Sequence, residues 1–213
     1  MSVELLNIDC MEYMKGLDDN AFELACVDPP YGIGMSGGNV GYKGGNNLER
    51  KEWDAKIPPK EYFDEVKRVS KNQIIWGGNY FNEYLDSSRC WICWNKDNTI
   101  KNFSSVEFAW CSFDRLPNYF YYAWGGLSDG VIGRNKKQKS IHPTQKPVKL
   151  YEWLLANYAK EGDKILDTHG GSMSSMIACH YGGFDAVCCE LDKDYFEAGK
   201  LRFEKATSQL AMF

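Results

Sequence analysis

No stretch of this 213-residue sequence approaches the eighteen or so consecutive apolar residues that a helical membrane span requires, so no membrane partner is expected. The first residues carry Glu4, Asp9 and Glu12 and lack the basic start and apolar core of an export signal, which points to a cytoplasmic protein. Positive charge is also short: 25 Lys and Arg against 29 Asp and Glu leave a net −4. That balance argues against a protein that coats nucleic acid by electrostatics alone. Only three histidines are present, and they are scattered. The eight cysteines have no secretory context, and Cys26, Cys188 and Cys189 lie in apolar runs, so reduced thiols are expected. Cys90 and Cys93 lack a second pair or a nearby His to complete four ligands, and no metal site is expected. The dinucleotide pattern Gly-x-Gly-x-x-Gly is missing as well, which removes the main support for an NAD-dependent enzyme.

What remains reads as one domain spanning 1–213, since the length suffices for one sizeable core and not for two. Short apolar runs alternate with helical patterns, which gives an α/β class with a mostly parallel sheet and helices on both faces. Strands are predicted at Phe22 to Val27, Gln73 to Trp76, Cys90 to Trp94, Val106 to Phe113, Lys164 to Leu166 and Ala186 to Cys189. Helices are predicted at Pro58 to Ser70, Val148 to Tyr158, Ser172 to His180 and Lys193 to Lys205. Two segments resist regular structure. Residues 32–47 hold seven of the twenty glycines, too costly in entropy for an element interior. Residues from about 114 to 141 run into a basic stretch, and between Gly130 and Tyr151 there are six cations and no acid.

The sharpest signal is Asp28-Pro29-Pro30-Tyr31 at the end of an apolar strand. Two prolines cannot continue a ladder, so the chain must turn there. In an open α/β sheet ligands sit outside the carboxyl ends of strands, which places this turn at the site. A carboxylate and a rigid backbone carbonyl side by side can accept both hydrogens of a primary amine, and the neighbouring aromatic can stack on a flat ring. Nucleobase amines are poor nucleophiles because the nitrogen lone pair is delocalised into the ring. Two fixed acceptors favour a pyramidal nitrogen whose lone pair is free to attack.

The second signal is Asp167-Thr168-His169-Gly170-Gly171-Ser172 after a short strand, with Glu190 nineteen residues past Gly171 at the end of the next strand. That spacing is close to the one at which an acidic residue meets ribose hydroxyls. A cofactor with an adenosine and no pyrophosphate fits a turn without the full glycine pattern. The third signal, His142-Pro143-Thr144-Gln145-Lys146-Pro147, heads a helix and alone reads as a capped N-terminus.

Together the three blocks resemble the β class of amino-group DNA methyltransferases, which use S-adenosylmethionine. In that circularly permuted family the Asp-Pro-Pro-Tyr block comes first, then the recognition region, then His-Pro-Thr-Gln-Lys-Pro, then the glycine-containing cofactor turn. The resemblance covers nearly the whole chain and implies a Rossmann-like methyltransferase fold. It assigns Asp28, Pro29 and Tyr31 to the target amine and base, with Pro30 shaping the turn. It places Asp167, Gly171 and Ser172 around the methionine part of the cofactor, with His169 and Gly170 beside them and Asp28 at its border. Glu190 and Leu191 fall to the ribose side, Thr144, Gln145 and Lys146 to the carboxylate end, and Asp9 and Cys10 to the adenine. Thr168, His169 and Met173 stand where the family has Pro, Phe and Gly. From this, His169 and Met173 are expected to crowd the cofactor.

The implied partner is DNA, with the base flipped from the duplex or taken single-stranded. Lys43 in the glycine-rich loop and Arg134, Lys136, Lys137 and Lys139 are the expected phosphate contacts, and Tyr31 the stacking surface for the base. Within the family an Asp at the head of Pro-Pro-Tyr goes mostly with adenine and a Ser mostly with the cytosine amine, so Asp28 favours adenine N6. The absence of any Pro-Cys pair disfavours a cysteine nucleophile. Little chain remains for a recognition domain, so a short target sequence is expected, with room for a homodimer; a restriction endonuclease partner cannot be read. Two alternatives stay open, an N4-cytosine methyltransferase and a catalytically weakened nucleic-acid-binding protein on the same fold.

Overall fold

The computed structural model describes residues 1–35, 51–97, 104–124 and 140–208. Its strands are β1 (Val3–Leu6), β2 (Phe22–Val27), β3 (Ser70–Trp76), β4 (Trp91–Asn95), β5 (Val106–Cys111), β6 (Asn118–Tyr121), β7 (Lys164–Asp167) and β8 (Asp185–Cys189). Five helices accompany them: α1 (Cys10–Lys15), α2 (Lys60–Val69), α3 (Val148–Tyr158), α4 (Ser174–Gly182) and α5 (Lys193–Ser208). The strands form one sheet in the order β1-β8-β7-β2-β3-β5-β4-β6. Every neighbouring pair is parallel except β3 with β5 and β5 with β4, so β5 alone runs against the rest. This is a mixed, mostly parallel sheet of the α/β class, as the alternation of strands and helices in the sequence predicts.

Period-two alternation explains why both faces are covered. On β2, Leu24 and Cys26 join Ile74, Trp76, Ile165 and Cys188 against α3, α4 and α5. Ala25 and Val27 face the other way, with Ile75, Leu166 and Val187, against α1 and α2. The apolar stripe of α2, Tyr62, Phe63, Val66 and Val69, is buried as its spacing requires. At six residues α1 is too short to hold by propensity alone. Asp9 caps its start by accepting from the Met11 N–H at 2.7 Å, and Arg68 of α2 donates to the Met14 and Leu17 carbonyls at its end, both at 2.8 Å.

The sequence pattern leaves out β1, α1 and β6 and places α4 two residues too early. β6 falls inside the segment expected to serve recognition, yet Asn118–Tyr121 is the edge strand of the central sheet, paired with β4. Its aromatics alternate: Tyr119 and Tyr121 are exposed, while Phe120 packs on Trp153 with ring centroids 5.1 Å apart. Most of the glycine-rich stretch (36–47) and of the basic stretch (125–139) lies outside the described residues.

Candidate active site

Strands β1, β8, β7, β2 and β3 are mutually parallel, so their C-terminal ends open on the same edge of the sheet. A cavity of about 1050 Å³ lies there, reached by Asp9 after β1, Asp28 after β2, Gly77 after β3, Thr168 after β7 and Glu190 after β8. Pockets for one small ligand run to about 1000 Å³, so this one has room for a cofactor-sized molecule and a base together.

One corner of the cavity is built on charge. The Tyr31 hydroxyl donates to Asp28 Oδ1 at 2.7 Å, and Lys146 Nζ donates to Oδ2 at 2.6 Å. The same ammonium lies 3.2 Å from the Tyr31 oxygen and 3.2 Å from Glu107 Oε2. Glu107 in turn accepts from Lys96 at 2.7 Å through Oε1. Acid and base therefore alternate along Lys96, Glu107, Lys146 and Asp28, and the four charges cancel. Burial opposes the charge on Glu107, but the ammoniums of Lys146 and Lys96 hold its carboxyl down at about 2. For Asp28 burial prevails and lifts the carboxyl above its ordinary range, against the pull of Lys146. Lys146 is raised in spite of burial because two carboxylates face it.

Tyr31 is held as firmly as Asp28. Its ring lies on Gly77, where a Cβ would collide with the ring and where φ is +72°, so only glycine allows this approach. The other neighbour is Tyr80, stacked at a centroid distance of 5.1 Å and 17° between planes. Tyr80 is 44% exposed and lines the cavity. Asp54, itself buried, accepts from the Gly32 and Met35 N–H groups at 2.8 and 2.7 Å and so fixes the chain after the turn.

The opposite corner is built on backbone. Asp167 is 2% exposed and accepts from the Ser175 hydroxyl at 2.5 Å and the His169 N–H at 3.0 Å. Burial among these neutral donors raises it to about 6. Glu190 accepts from the N–H groups of Gly171 at 2.7 Å and Asp192 at 2.8 Å, and burial raises its carboxyl too. His169 packs edge-on to Tyr62 and lies 2.9 Å from the Thr168 hydroxyl oxygen. Its burial lowers the imidazole to about 4, and that of His142, wedged between Trp53 and Tyr195, falls to about 3. Both rings are neutral at pH 7.

Met173 does not crowd the cavity. It takes a left-handed backbone, at φ 58°, and its fully buried side chain turns inward against Gly170, Gly199 and the Cys188 sulfur. His169 does line the cavity.

The three sequence blocks thus meet in one place. Asp28, Pro29, Pro30 and Tyr31 line the cavity on one side, and His169, Gly170, Gly171, Ser172, Glu190 and Leu191 on the other. Asp9 and Cys10 line it as well, with the Asp9 carboxylate partly engaged in capping α1. Thr144 and Gln145 lie between the two sides, although the Gln145 side-chain oxygen already accepts from the Ile141 N–H at 3.2 Å. Lys146, expected beside a carboxylate end of the cofactor, has its ammonium on Asp28 instead. Lys43, Arg134, Lys136, Lys137 and Lys139 lie outside the described residues. Sequence reasoning missed Glu107, Lys96 and Tyr80. A carboxylate inside an otherwise apolar strand was the available signal for Glu107. Among the described residues no group of His, Cys, Asp and Glu can hold a metal ion, and no helix is long and apolar enough to cross a membrane.

The chain is similar in sequence and fold to several known proteins. The sequence profile of the N6/N4 methyltransferase family, described as DNA methylase, matches residues 124–201. The chain is 24% identical to the type II methyltransferase M2.MboI of Moraxella bovis, over 95% of this chain and 88% of that protein. It is also 24% identical to M.HpaI of Haemophilus parainfluenzae, over 96% of this chain and 75% of that protein. Among solved structures, the complex of M1.HpyAVI with S-adenosylmethionine superposes with a TM-score of 0.57 at 19% identity, covering 94% of this chain and 99% of that one. The cytosine-N4-specific PvuII DNA methyltransferase gives 0.63 at 14% identity, covering 98% and 91%.

Proposed function

We propose that this chain is an S-adenosylmethionine-dependent amino-group DNA methyltransferase and that the amine it methylates is N6 of adenine, a reading supported by its likeness to the DNA methylase family and to type II methyltransferases. The observation that carries the reading is the Asp28 carboxylate, held rigidly beside Pro29 at the mouth of β2 and facing a cavity that also holds the glycine turn and Glu190. A carboxylate accepts an amine hydrogen more strongly than a hydroxyl does.

The residues present fit the cofactor. Gly170 and Gly171 bring backbone to the cavity wall, and a Cβ at Gly170 would collide with Cys188. Glu190 keeps lone pairs free for ribose hydroxyls beyond the two backbone bonds it accepts. Asp9, Cys10 and Leu191 are assigned to the adenine end, Gly171, Ser172, Thr144 and Gln145 to the methionine end. When bound, S-adenosylmethionine would supply a methyl carbon open to direct attack by a neutral nitrogen, with the sulfonium sulfur leaving as a neutral thioether. Asp28 and the Pro29 carbonyl accept the two amine hydrogens and orient the lone pair toward that methyl. Tyr31, pinned by Gly77 and by its bond to Asp28, keeps the carboxylate from turning. The exposed ring of Tyr80 extends the aromatic surface on which the base stacks.

The test is transfer of labelled methyl from S-adenosylmethionine to unmethylated DNA, with mass spectrometry of the nucleosides. The wild type yields N6-methyladenine, and Asp28→Ala lowers the rate by about 1000-fold or more. N4-methylcytosine as the product would replace adenine by cytosine. Cofactor and DNA binding without methyl transfer would leave a binding protein on this fold.

A further inference from the structure

Both oxygens of Asp28 are occupied, one by the Tyr31 hydroxyl and one by the Lys146 ammonium. An incoming amine must therefore share or displace a donor. Lys146 is 5% exposed at its side chain and cannot swing into water without abandoning a buried carboxylate. One other acceptor is within its reach. Glu107 Oε2 is buried and has no hydrogen-bond partner, although the Lys146 nitrogen stands 3.2 Å from it. The other oxygen of Glu107 is anchored by Lys96 at 2.7 Å, on the chain just after β4, so the carboxylate waits in a fixed position.

Resting on the methyltransferase reading above, we propose that Glu107 is a positioning residue that takes the Lys146 ammonium from Asp28 when the target amine arrives. The exchange needs a shift of a fraction of an ångström, and the ion pair it ends replaces the one it began with. The freed Asp28 Oδ2 then accepts the amine hydrogen. As the nitrogen–carbon bond forms and the carbon–sulfur bond breaks, the bonding pair stays on sulfur as a neutral thioether. The nitrogen now carries one proton too many. Asp28 takes that proton and passes it to water, and Lys146 returns. The raised carboxyl of Asp28 suits it to the task of acceptor.

The groups facing this exchange come from five elements: Asp28 and Tyr31 after β2, Lys96 after β4, Glu107 in β5, Lys146 ahead of α3 with Tyr151 inside it, and Asp167 at the end of β7. Asp28 must be ionised to act, so the acid limb of the rate follows it. The negative charge of Glu107 raises Asp28, and Glu107→Gln should move the acid limb to lower pH while slowing transfer. Removing the positive charge of Lys96 has the opposite sign, so Lys96→Met should move the limb to higher pH. A merely structural role would not displace the two limbs in opposite directions.

The experiment is single-turnover methyl transfer from S-adenosylmethionine to unmethylated phage DNA from pH 5 to 9, with cofactor affinity measured separately. The expected result is a roughly 30-fold slower Glu107→Gln with cofactor affinity within about threefold of wild type, and partial recovery in Glu107→Asp. If Glu107→Gln does not fold, Lys96→Met alone decides by the direction of its limb. An active wild type with an indifferent Glu107→Gln, or limbs that move together, overturns the inference alone. A wild type that transfers no methyl overturns the methyltransferase reading and the inference with it.

Discussion

Asp28 follows β2 and Asp167 ends its parallel neighbour β7; the Asp28 carboxylate lines the cavity, whereas Asp167 is buried just behind it, next to the lining residue Thr168. They are stabilised in opposite ways. Asp28 has a full positive charge 2.6 Å away and a second carboxylate behind it. Asp167 has only a hydroxyl and a backbone N–H. Charge can be exchanged and so suits a group that must change partners during a reaction. Neutral donors fixed by the turn and the head of α4 stay in place, and they suit a group that must hold one shape. Under the proposed function, the first turn suits chemistry and the second suits binding.

The comparison is broken most forcefully at Lys146. Lys146→Met strands Asp28 and Glu107 without their shared cation, and methyl transfer should fall by about 100-fold, with stability lower by about 3 kcal/mol. Single-turnover kinetics and denaturant unfolding measure the two effects, and an unchanged rate would mean the two aspartates do not differ in kind.

Asp167→Asn should do the reverse for stability. The Asp167 carboxyl is raised to about 6 against an ordinary value of 3.8. Its favourable contribution is complete below about pH 4 and is lost as pH rises through 6. Removing the ionisation should then stabilise the fold at pH 7 by on the order of 2 kcal/mol and do nothing at pH 4. Urea unfolding at the two pH values checks this. Equal effects at both would show that Asp167 is not strained by its charge.

Met173→Gly probes the binding turn from inside. Relief of the left-handed backbone is worth about 1 kcal/mol, while the emptied volume beside Cys188 costs about 2 to 4. A net loss of about 2 kcal/mol is expected, with cofactor affinity by calorimetry within threefold. A large gain in affinity would instead mean that Met173 does obstruct the cofactor.

At neutral pH the smallest effect lies at His169. Burial holds its imidazole at about 4, so the unfolded chain takes up the proton first as pH falls from about 6.5. Stability should decline over that window by at most about 1.4 kcal/mol per pH unit from this ring. His169→Asn should flatten the slope of thermal midpoint against pH between 6.5 and 4, and an unaltered slope would assign it all to His142.

Legibility in the sequence follows the same division. Asp28, Asp167 and Glu190 were readable because each ends an apolar strand at a point where proline, glycine or a turn stops it. The parallel order of the sheet was readable from the alternation of runs and helices. Glu107 was not, since Val106 to Cys111 reads as a strand whichever way its side chains face, and only the fold shows that two lysines from distant segments close on it. β6 was hidden because Asn118–Tyr121 offers four residues and two of its aromatics point outward. α1 was hidden because much of what holds it comes from Arg68, far along the chain. Met173 misled for a related reason: a missing glycine reveals the backbone angle but not where the new side chain will go.

The order of strands in the sheet bears on how the molecule reaches its native state. Val3 pairs with Ala186 at one edge of the sheet and Leu24 with Ile165 nearer its centre, so these parallel contacts join residues far apart in the sequence. Contacts of such long range must overcome the entropy of closing a large loop before they give anything back. β2 and β3, joined through α2, can form early, and they leave the β2 edge without its ladder partner until β7 docks. The folding intermediate implied by this order presents the apolar edge of Phe22–Val27 to its surroundings, and refolding yield should fall as protein concentration rises.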